Sequence, residues 1–411
     1  MESGVAERRI HLGAVGLGRA FTLMLPTLGA DPRVQLVAAA DPREEARRRF
    51  ETDFAGKTYT SVEDLCDDPA VEAVYIATPH QHHARHVQIA AARGKHVLVE
   101  KPMAITLDQC AAMIEAAHCA RIHLVVGHSH SFNAPIRRTR ELIAGGAVGS
   151  INMIHALNYT DYVYRPRRPE ELDTAQGGGV VFSQAAHQID IVRLLGGGKV
   201  RSVRAATRAW DPSRPTEGAY SAFLTFENGA FGSATYSGYA HFDSDELNGW
   251  IGEMGLPKDR SRYGDARRVL RQAKDAESEA LLKGARNYAG RNYVPPEVVP
   301  SPPRLHQHFG LVIASCEHAD LRPTSEGVMI YCDDGVRLEG VPVPAIPRAE
   351  VIDELYAAIA KGHPPLHSGQ WAMATLEVCL AILQSQRDKN EVTLHHQCAV
   401  VEPVKHEALR A

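Results

Sequence analysis

No stretch of this 411-residue chain approaches the roughly 18 uninterrupted apolar residues that a membrane span needs, so no transmembrane helix and no membrane partner are expected. The opening Met1-Glu2-Ser3-Gly4-Val5-Ala6-Glu7-Arg8-Arg9 is polar and has no apolar core before a cleavage site, which does not read as a secretory signal. Cysteine is sparse. The seven residues are odd in number, scattered from Cys66 to Cys398, and never form a C-x-x-C pair. That pattern fits reduced thiols in a cytoplasm and argues against a disulfide or zinc framework. A large net charge is missing too: 45 Lys plus Arg against 49 Asp plus Glu leave −4, so nothing in the total demands nucleic acid as a partner. Gly and Pro together make about 14% of the chain, far from a low-complexity composition.

What is present is an ordinary globular composition, 44% apolar and 23% charged, and a length that suits two domains. From residue 10 to 130 a short apolar run, a turn and a helix-length segment recur. The runs are Ile10 to Val15, Val34 to Ala40, Val71 to Thr78, Lys95 to Val99 and His123 to Gly127, rich in β-branched residues and bounded by Gly, Pro or Asp. That rhythm predicts βαβ units with buried parallel strands, an α/β domain over residues 1–130. Ser61-Val62-Glu63-Asp64 and Thr106-Leu107-Asp108-Gln109 each set a hydroxyl three positions before a side chain that reaches back, which predicts helix starts. Over residues 131–411 the texture changes. Ile151 to Leu157, Val200 to Arg208, Tyr220 to Phe226, Ala230 to Ser237, Val328 to Tyr331 and Gly335 to Leu338 read as strands. Turns at Glu227-Asn228-Gly229 and Asp333-Asp334-Gly335 mark hairpins, so the second domain carries a largely antiparallel sheet. Gln184 to Leu195 is predicted as its helix, stopping at Gly196-Gly197-Gly198. Residues 241–300 depart from both textures, with a charged helical stretch from Arg267 to Lys283 before a Pro-rich return to strand. They read as an insertion, a lid or an oligomer contact.

Gly13-Ala14-Val15-Gly16-Leu17-Gly18 follows the first run and precedes an apolar helix, the place where a dinucleotide pyrophosphate meets a helix N-terminus. Phe21 stands where tight helix-to-strand packing usually takes Gly or Ala, a departure from the full motif. Asp41 ends the second run 23 residues past Gly18, close to the spacing of about 20 for a carboxylate that binds the adenosine ribose. A carboxylate repels a 2′-phosphate, so Asp41 favours NAD; Arg43 leaves NADP open. The competing reading is a strand-to-helix turn with an acidic start to the next helix.

Glu100-Lys101-Pro102 closes the run Val97-Leu98-Val99, at the expected carboxyl edge of a parallel sheet, where ligands collect. A partly desolvated lysine there has a lowered pKa suited to exchanging a proton with a substrate hydroxyl, whereas a solvated lysine beside a turn proline would do nothing. The glycine turn, Asp41, Thr78-Pro79 with His83 four residues on, Gly94-Lys95-His96-Val97-Leu98-Val99-Glu100-Lys101-Pro102, and Gly177-Gly178-Gly179 with His187 together resemble the Gfo/Idh/MocA oxidoreductases. The likeness runs over nearly the whole chain, through Gly362-His363-Pro364-Pro365, and is weakest over 241–300. It implies an N-terminal Rossmann dinucleotide-binding domain and a C-terminal α/β domain built on an open, mainly antiparallel sheet. It also implies NAD as cofactor, bound through Gly13, Gly16, Leu17, Gly18, Arg19, Asp41, Thr78, Pro79, His83, Glu100 and Lys101. By the same resemblance Lys101 is the catalytic proton relay, the peptide before Pro102 is cis, His187 sits by the substrate hydroxyl, and the open sheet face joins a dimer or tetramer.

Two departures from the family pattern stand out. Ser183, four residues before His187, takes a position where many members carry aspartate, and His80 follows Thr78-Pro79 where asparagine is common. His82 and His86 read as surface or capping histidines, and with no carboxylate or cysteine at ligand spacing no metal is expected. Arg165-Pro166-Arg167-Arg168-Pro169 precedes the glycine triplet. Guanidinium groups bind carboxylates in a bidentate manner, so Arg165, Arg167 and Arg168 are candidate substrate residues, together with Ser183 and His187. A solvated basic loop is the competing reading. Gly127-His128-Ser129-His130-Ser131-Phe132, with Arg165 to Glu171 and Gln176 to Gln188, resembles the subgroup described as phthalate 4,5-cis-dihydrodiol dehydrogenases. That resemblance implies oxidation of a carboxylated ring dihydrodiol to a catechol. An NAD(P)-dependent inositol or sugar dehydrogenase and a cofactor-sensing regulator are the alternatives, with a metal-dependent hydrolase last.

Overall fold

The structure, a computed structural model, describes residues 8–295 and 304–401. Six short strands form the first sheet: β1 (Ile10–Val15), β2 (Val34–Ala40), β3 (Lys57–Tyr59), β4 (Ala73–Ile76), β5 (His96–Val99) and β6 (Leu124–Val126). They pair in the order β3-β2-β1-β4-β5-β6, each pair parallel. The helices between them are α1 (Arg19–Ala30), α2 (Glu44–Phe54), α3 (Val62–Asp67), α4 (His83–Ala92) and α5 (Leu107–Ala120). Ser61 and Thr106 cap α3 and α5, each side-chain oxygen accepting the N–H three residues on, from Asp64 at 3.1 Å and Gln109 at 3.2 Å. The strand order reverses between β1 and β4, which opens a crevice beyond their carboxyl ends. β3 escaped the sequence reading because three residues are too few to show a periodicity.

The second layer begins with α6 (Ala134–Ala144) and holds β7 (Ile151–Tyr159), α7 (Ala186–Gly196), β8 (Val200–Arg208), β9 (Ala219–Phe226) and β10 (Phe231–Ser237). After α8 (Asp265–Leu270) and α9 (Ala276–Gly284) it continues through β11 (Leu311–Cys316), β12 (Asp320–Pro323), β13 (Gly327–Cys332), β14 (Gly335–Gly340), α10 (Ala349–Lys361), α11 (Gly369–Asp388) and β15 (Val392–Thr393). The nine strands run β14-β13-β12-β11-β7-β10-β9-β8-β15, antiparallel except for the β7–β10 pair. α6, α7 and α11 cover one face of this sheet. Phe223 and Phe231, 46% and 40% exposed, lie together on the other. Among the described residues no helix is long and apolar enough to cross a membrane. The seven cysteines are free thiols.

Two expectations change. The first domain does not draw on residues 1–130 alone: α10 buries Val351, Ile352, Leu355 and Tyr356 in one core with Ile10, Leu12, Phe21 and Leu36. An amphipathic helix announces that it needs a partner surface, and its sequence does not say which. The second concerns residues 241–300, whose charged stretch breaks into α8 and α9 and whose return toward strand falls partly outside the described residues. The segment is a strap between the two layers. At one end Glu279 accepts from Arg214 Nη1 at 2.8 Å and from the Arg167 N–H at 2.7 Å, and Lys283 pairs with Glu171. At the other, Tyr288 is fully buried, its hydroxyl donates to Asp53 at 2.6 Å, and its ring meets Phe21 edge-on at 5.3 Å. Phe21 is thus accommodated in place of a small residue because Tyr288 and Phe50 enclose it.

Candidate active site

At the end of β1 the chain turns through Gly16 (φ +87°) into α1, whose first turn has no side-chain cap and no acidic residue. A Cβ on Gly16 would lie 2.9 Å from Thr78 Cγ2 and 3.0 Å from the Ala77 carbonyl, so both the backbone angle and the neighbours require glycine. A Cβ on Gly18 would meet nothing within 4 Å, which leaves open groove over free helix N–H groups. Such a groove suits an anion of the pyrophosphate kind. Arg19 beside it is lowered to about 10 by desolvation and by the guanidinium groups of Arg286, Arg348 and Arg165, so the groove is strongly cationic. Gly13 belongs to packing instead: a Cβ there would strike Leu65 at 2.8 Å.

Asp41 lies at the end of β2 with one carboxylate oxygen accepting from Leu17 N–H at 2.7 Å and the other from Arg43 N–H at 2.9 Å. Arg43 Nε and Nη2 add contacts at 3.0 and 3.2 Å. All four acceptor positions are filled, so a ribose diol binding here takes the place of the Arg43 guanidinium. Thr78 Oγ1 is bonded to His86 Nδ1 at 3.0 Å, which makes His86 a partner of the turn at Pro79 rather than a surface residue. His83 departs from its expected role. It is fully buried, with Nε2 2.8 Å from the Thr78 carbonyl and Nδ1 3.0 Å from the Pro102 carbonyl; burial favours the neutral ring, which donates to one of the two, and both ring nitrogens are enclosed by protein. His80 Nδ1 reaches the Gly177 carbonyl at 3.2 Å, joining this edge to the second layer.

Across the crevice, the peptide before Pro102 is cis and Lys101 Nζ donates to the Ser183 carbonyl at 2.9 Å. Ser183 lies in a single π-helical turn, Val181–Ala185, that leads into α7, and its hydroxyl donates to the Gly179 carbonyl. It therefore offers Lys101 a backbone oxygen, with its hydroxyl turned away. Desolvation lowers Lys101 to about 8; Arg348 and Arg167 act in the same direction, against the carboxylates of Glu100 and Glu253. Glu100 is buried, accepts from the Tyr75 hydroxyl at 2.7 Å, and is pushed upward by that burial. It faces Tyr75, beneath the lysine, and not the groove.

His187, 6% exposed, lies near enough to Lys101 to feel its charge, and its Nδ1 is unpartnered. Its ring lies 4.8 Å from His130, 6.4 Å from His128 and 5.0 Å from Phe309. His128 Nε2 and Ser129 Oγ are also buried without partners. Burial drives all three imidazoles toward the neutral form. A desolvated amine beside buried polar atoms that lack partners suits a hydroxylated ligand.

The three arginines divide. Arg165 donates to Asp161 at 3.1 Å and lines a cavity of about 270 Å³ with Asn158, Thr160, Glu253 and His308. Arg167 lies over the Tyr162 ring at 3.6 Å, donates to the Tyr162 carbonyl at 2.9 Å, and stands 3.7 Å from Glu171. Arg168 pairs with Glu170 at 2.9 Å. All three arginines thus have a carboxylate of their own loop nearby, and the Nε–H groups of Arg167 and Arg168 are buried without a hydrogen-bond partner. Three residues that sequence reasoning did not single out surround these groups: Glu253 and Arg348, the latter buried at the start of α10, act on Lys101 by charge, and His130 packs on His187. His130 stood within the Gly127 to Phe132 stretch. Glu253 and Arg348 had no local signal.

Comparison with known proteins gives two family matches. Residues 10–128 match a model described as the oxidoreductase family with an NAD-binding Rossmann fold, and residues 136–252 match the GFO/IDH/MocA C-terminal domain. A curated relative from Comamonas testosteroni, 1-carboxy-3-chloro-3,4-dihydroxycyclohexa-1,5-diene dehydrogenase, is 49% identical over 376 residues, 91% of this chain and 94% of its own length. A solved dehydrogenase structure from Bordetella bronchiseptica RB50 superimposes with a TM-score of 0.88 at 41% identity, over 94% of this chain and all of that one. GenD2 from gentamicin A biosynthesis, solved with NAD, shares the fold at a TM-score of 0.69 and 20% identity, over 96% of this chain and 99% of its own.

Proposed function

The chain belongs to the Gfo/Idh/MocA family of NAD-binding oxidoreductases, and from that membership we propose that it oxidises a carboxylated ring cis-dihydrodiol to a catechol, with phthalate 4,5-cis-dihydrodiol as its substrate. The observation that carries this reading is the desolvated amine of Lys101, lowered to about 8, with neutral His187 among the groups that feel its charge, while Arg165 and Glu253 line a cavity of their own. The curated relative supports the substrate class, since its name describes a carboxylated, dihydroxylated ring diene.

NAD, when bound, supplies the hydride acceptor. Lys101 in its amine form takes the proton of the carbinol hydroxyl, and the Ser183 carbonyl orients that amine. His187 is neutral and its Nδ1 is unpartnered, so it can hydrogen-bond the hydroxyl. Loss of one hydride and one proton leaves a ring dienone that tautomerises to the aromatic catechol. Arg165 holds a ring carboxylate.

The test is NADH formation by purified protein with the dihydrodiol and with myo-inositol, each with NAD and NADP, for wild type and Arg165→Ala. Turnover of the dihydrodiol with NAD is expected, with KM raised about tenfold or more by Arg165→Ala, the loss of one charged hydrogen-bond pair. Turnover of myo-inositol alone would replace the substrate with a polyol. An unchanged KM would remove the carboxylate contact.

A further inference from the structure

Glu253 lies in the strap, one residue beyond the second family match. Its Oε1 is 3.2 Å from His130 Nε2, and the tautomer of that ring is fixed by its other side. Asn133 Nδ2 donates to the Gln307 carbonyl at 2.9 Å and to His130 Nδ1 at 3.0 Å. His130 Nδ1 is therefore an acceptor, Nε2 carries the hydrogen, and Glu253 receives it. The His130 ring stands edge-on to His187, with Phe309 against both rings at 5.1 and 5.0 Å. We propose that Glu253 is a positioning residue of the reaction, the carboxylate that holds His130, and through its ring His187, in place for the substrate hydroxyl while balancing the charge of Lys101 across the pocket. The proposal rests on the dehydrogenase reading above.

The electrostatics agree with the geometry. Burial opposes the charge of Glu253, but the hydrogen bond from His130, with Arg165 and Lys101, outweighs it and holds the carboxyl down to about 2, so it is an anion throughout the working range. Lys101 feels the charges of its neighbour Glu100 in the loop after β5, Glu253 on the strap, Arg167 on the loop before the glycine triplet and Arg348 before α10. His80, His128, His187 and the Cys379 thiol complete its surroundings. Of the two carboxylates, Glu100 is already engaged with Tyr75, which leaves Glu253 as the anion that borders the cavity. An anion favours the ammonium form of Lys101, so its removal lets the lysine lose its proton at lower pH.

The experiment is the pH profile of kcat/KM for wild type, Glu253→Gln, Glu253→Asp, His130→Asn and the double variant Glu253→Gln/His130→Asn, with NADH affinity by fluorescence as a control for folding. The expected Glu253→Gln profile has a plateau about tenfold lower and an alkaline-going limb displaced about one unit toward acid. Glu253→Asp restores most of the plateau, NADH affinity is unchanged, and Glu253→Gln costs no further plateau once His130 is gone. A limb that coincides with wild type, or plateau losses that multiply in the double variant, would overturn the proposal. If wild type ignores the dihydrodiol, the substrate reading has failed by itself, and the same profiles are read with the polyol it does oxidise.

Discussion

On the proposed relay, Lys101 sets the pH behaviour of the reaction. Below about 8 the ammonium form dominates and cannot accept the hydroxyl proton; above it the amine is available. Oxidation under kcat/KM conditions is therefore expected to rise with pH through about 8 and then level, and a profile that is flat across that range would show that another group takes the proton. Among the arginines, Arg168→Ala is expected to leave the substrate KM unchanged, because Glu170 already holds that side chain; a tenfold rise would return Arg168 to the substrate. At this scale the sequence was legible where chemistry sits in short motifs. Gly16, Gly18, Asp41 and Lys101 lie at the ends of apolar runs whose geometry fixes where they point. In the basic loop the neighbouring carboxylates were also legible: Glu170 and Glu171 stand within one helical turn of Arg167 and Arg168, the spacing that pairs opposite charges. Glu253 and Arg348 act on Lys101 by charge from more than a hundred residues away in sequence, and no local pattern encodes that.

The helix carrying His187 illustrates what elements add. α7 begins two residues later than its hydrophobic spacing suggests, because the preceding turn is π-helical and five residues are too few to reveal that in a pattern. Its Asp190 accepts from Trp371 Nε1 at 2.6 Å and Thr375 Oγ1 at 2.8 Å on α11, and from the Ser131 hydroxyl on the loop after β6. Ser131 in turn meets His367 Nε2 at 2.8 Å, and His367 Nδ1 lies 2.9 Å from Glu354. This buried network locks α7 and α11 to the loop that carries His128 and His130. Asp190→Ala leaves several buried donors unpaired and is expected to cost about 3 kcal/mol or more of stability, measured by urea unfolding; a change below about 1 kcal/mol would mean the network is replaceable. At the first turn of α1, Gly16→Ala must displace Thr78 or the Ala77 carbonyl and hold a left-handed backbone. NADH affinity is expected to fall at least about tenfold by fluorescence titration, and an unchanged affinity would separate that turn from the cofactor.

For the molecule as a whole, the two-layer plan was legible, since parallel and antiparallel sheets leave different runs and turns in the sequence. The assignment of α10 to the first core and the strap's route between layers were not, because both depend on which distant surface a segment covers. The open face of the second sheet displays Phe223 and Phe231 in contact, 5.7 Å between ring centroids, and we propose that it joins a dimer or tetramer. Light scattering is expected to show that species for wild type and a smaller one for the Phe223→Glu/Phe231→Glu variant; a wild-type monomer would contradict this. The central claim is Lys101-dependent, NAD-dependent oxidation of a carboxylated ring dihydrodiol. Its most direct test is the initial rate of NADH formation from phthalate 4,5-cis-dihydrodiol by wild type and Lys101→Ala, with NADH binding confirmed for both. The account predicts turnover by wild type and a loss of about a hundredfold to ten-thousandfold in the variant. A Lys101→Ala protein that binds NADH and keeps the wild-type rate would contradict it.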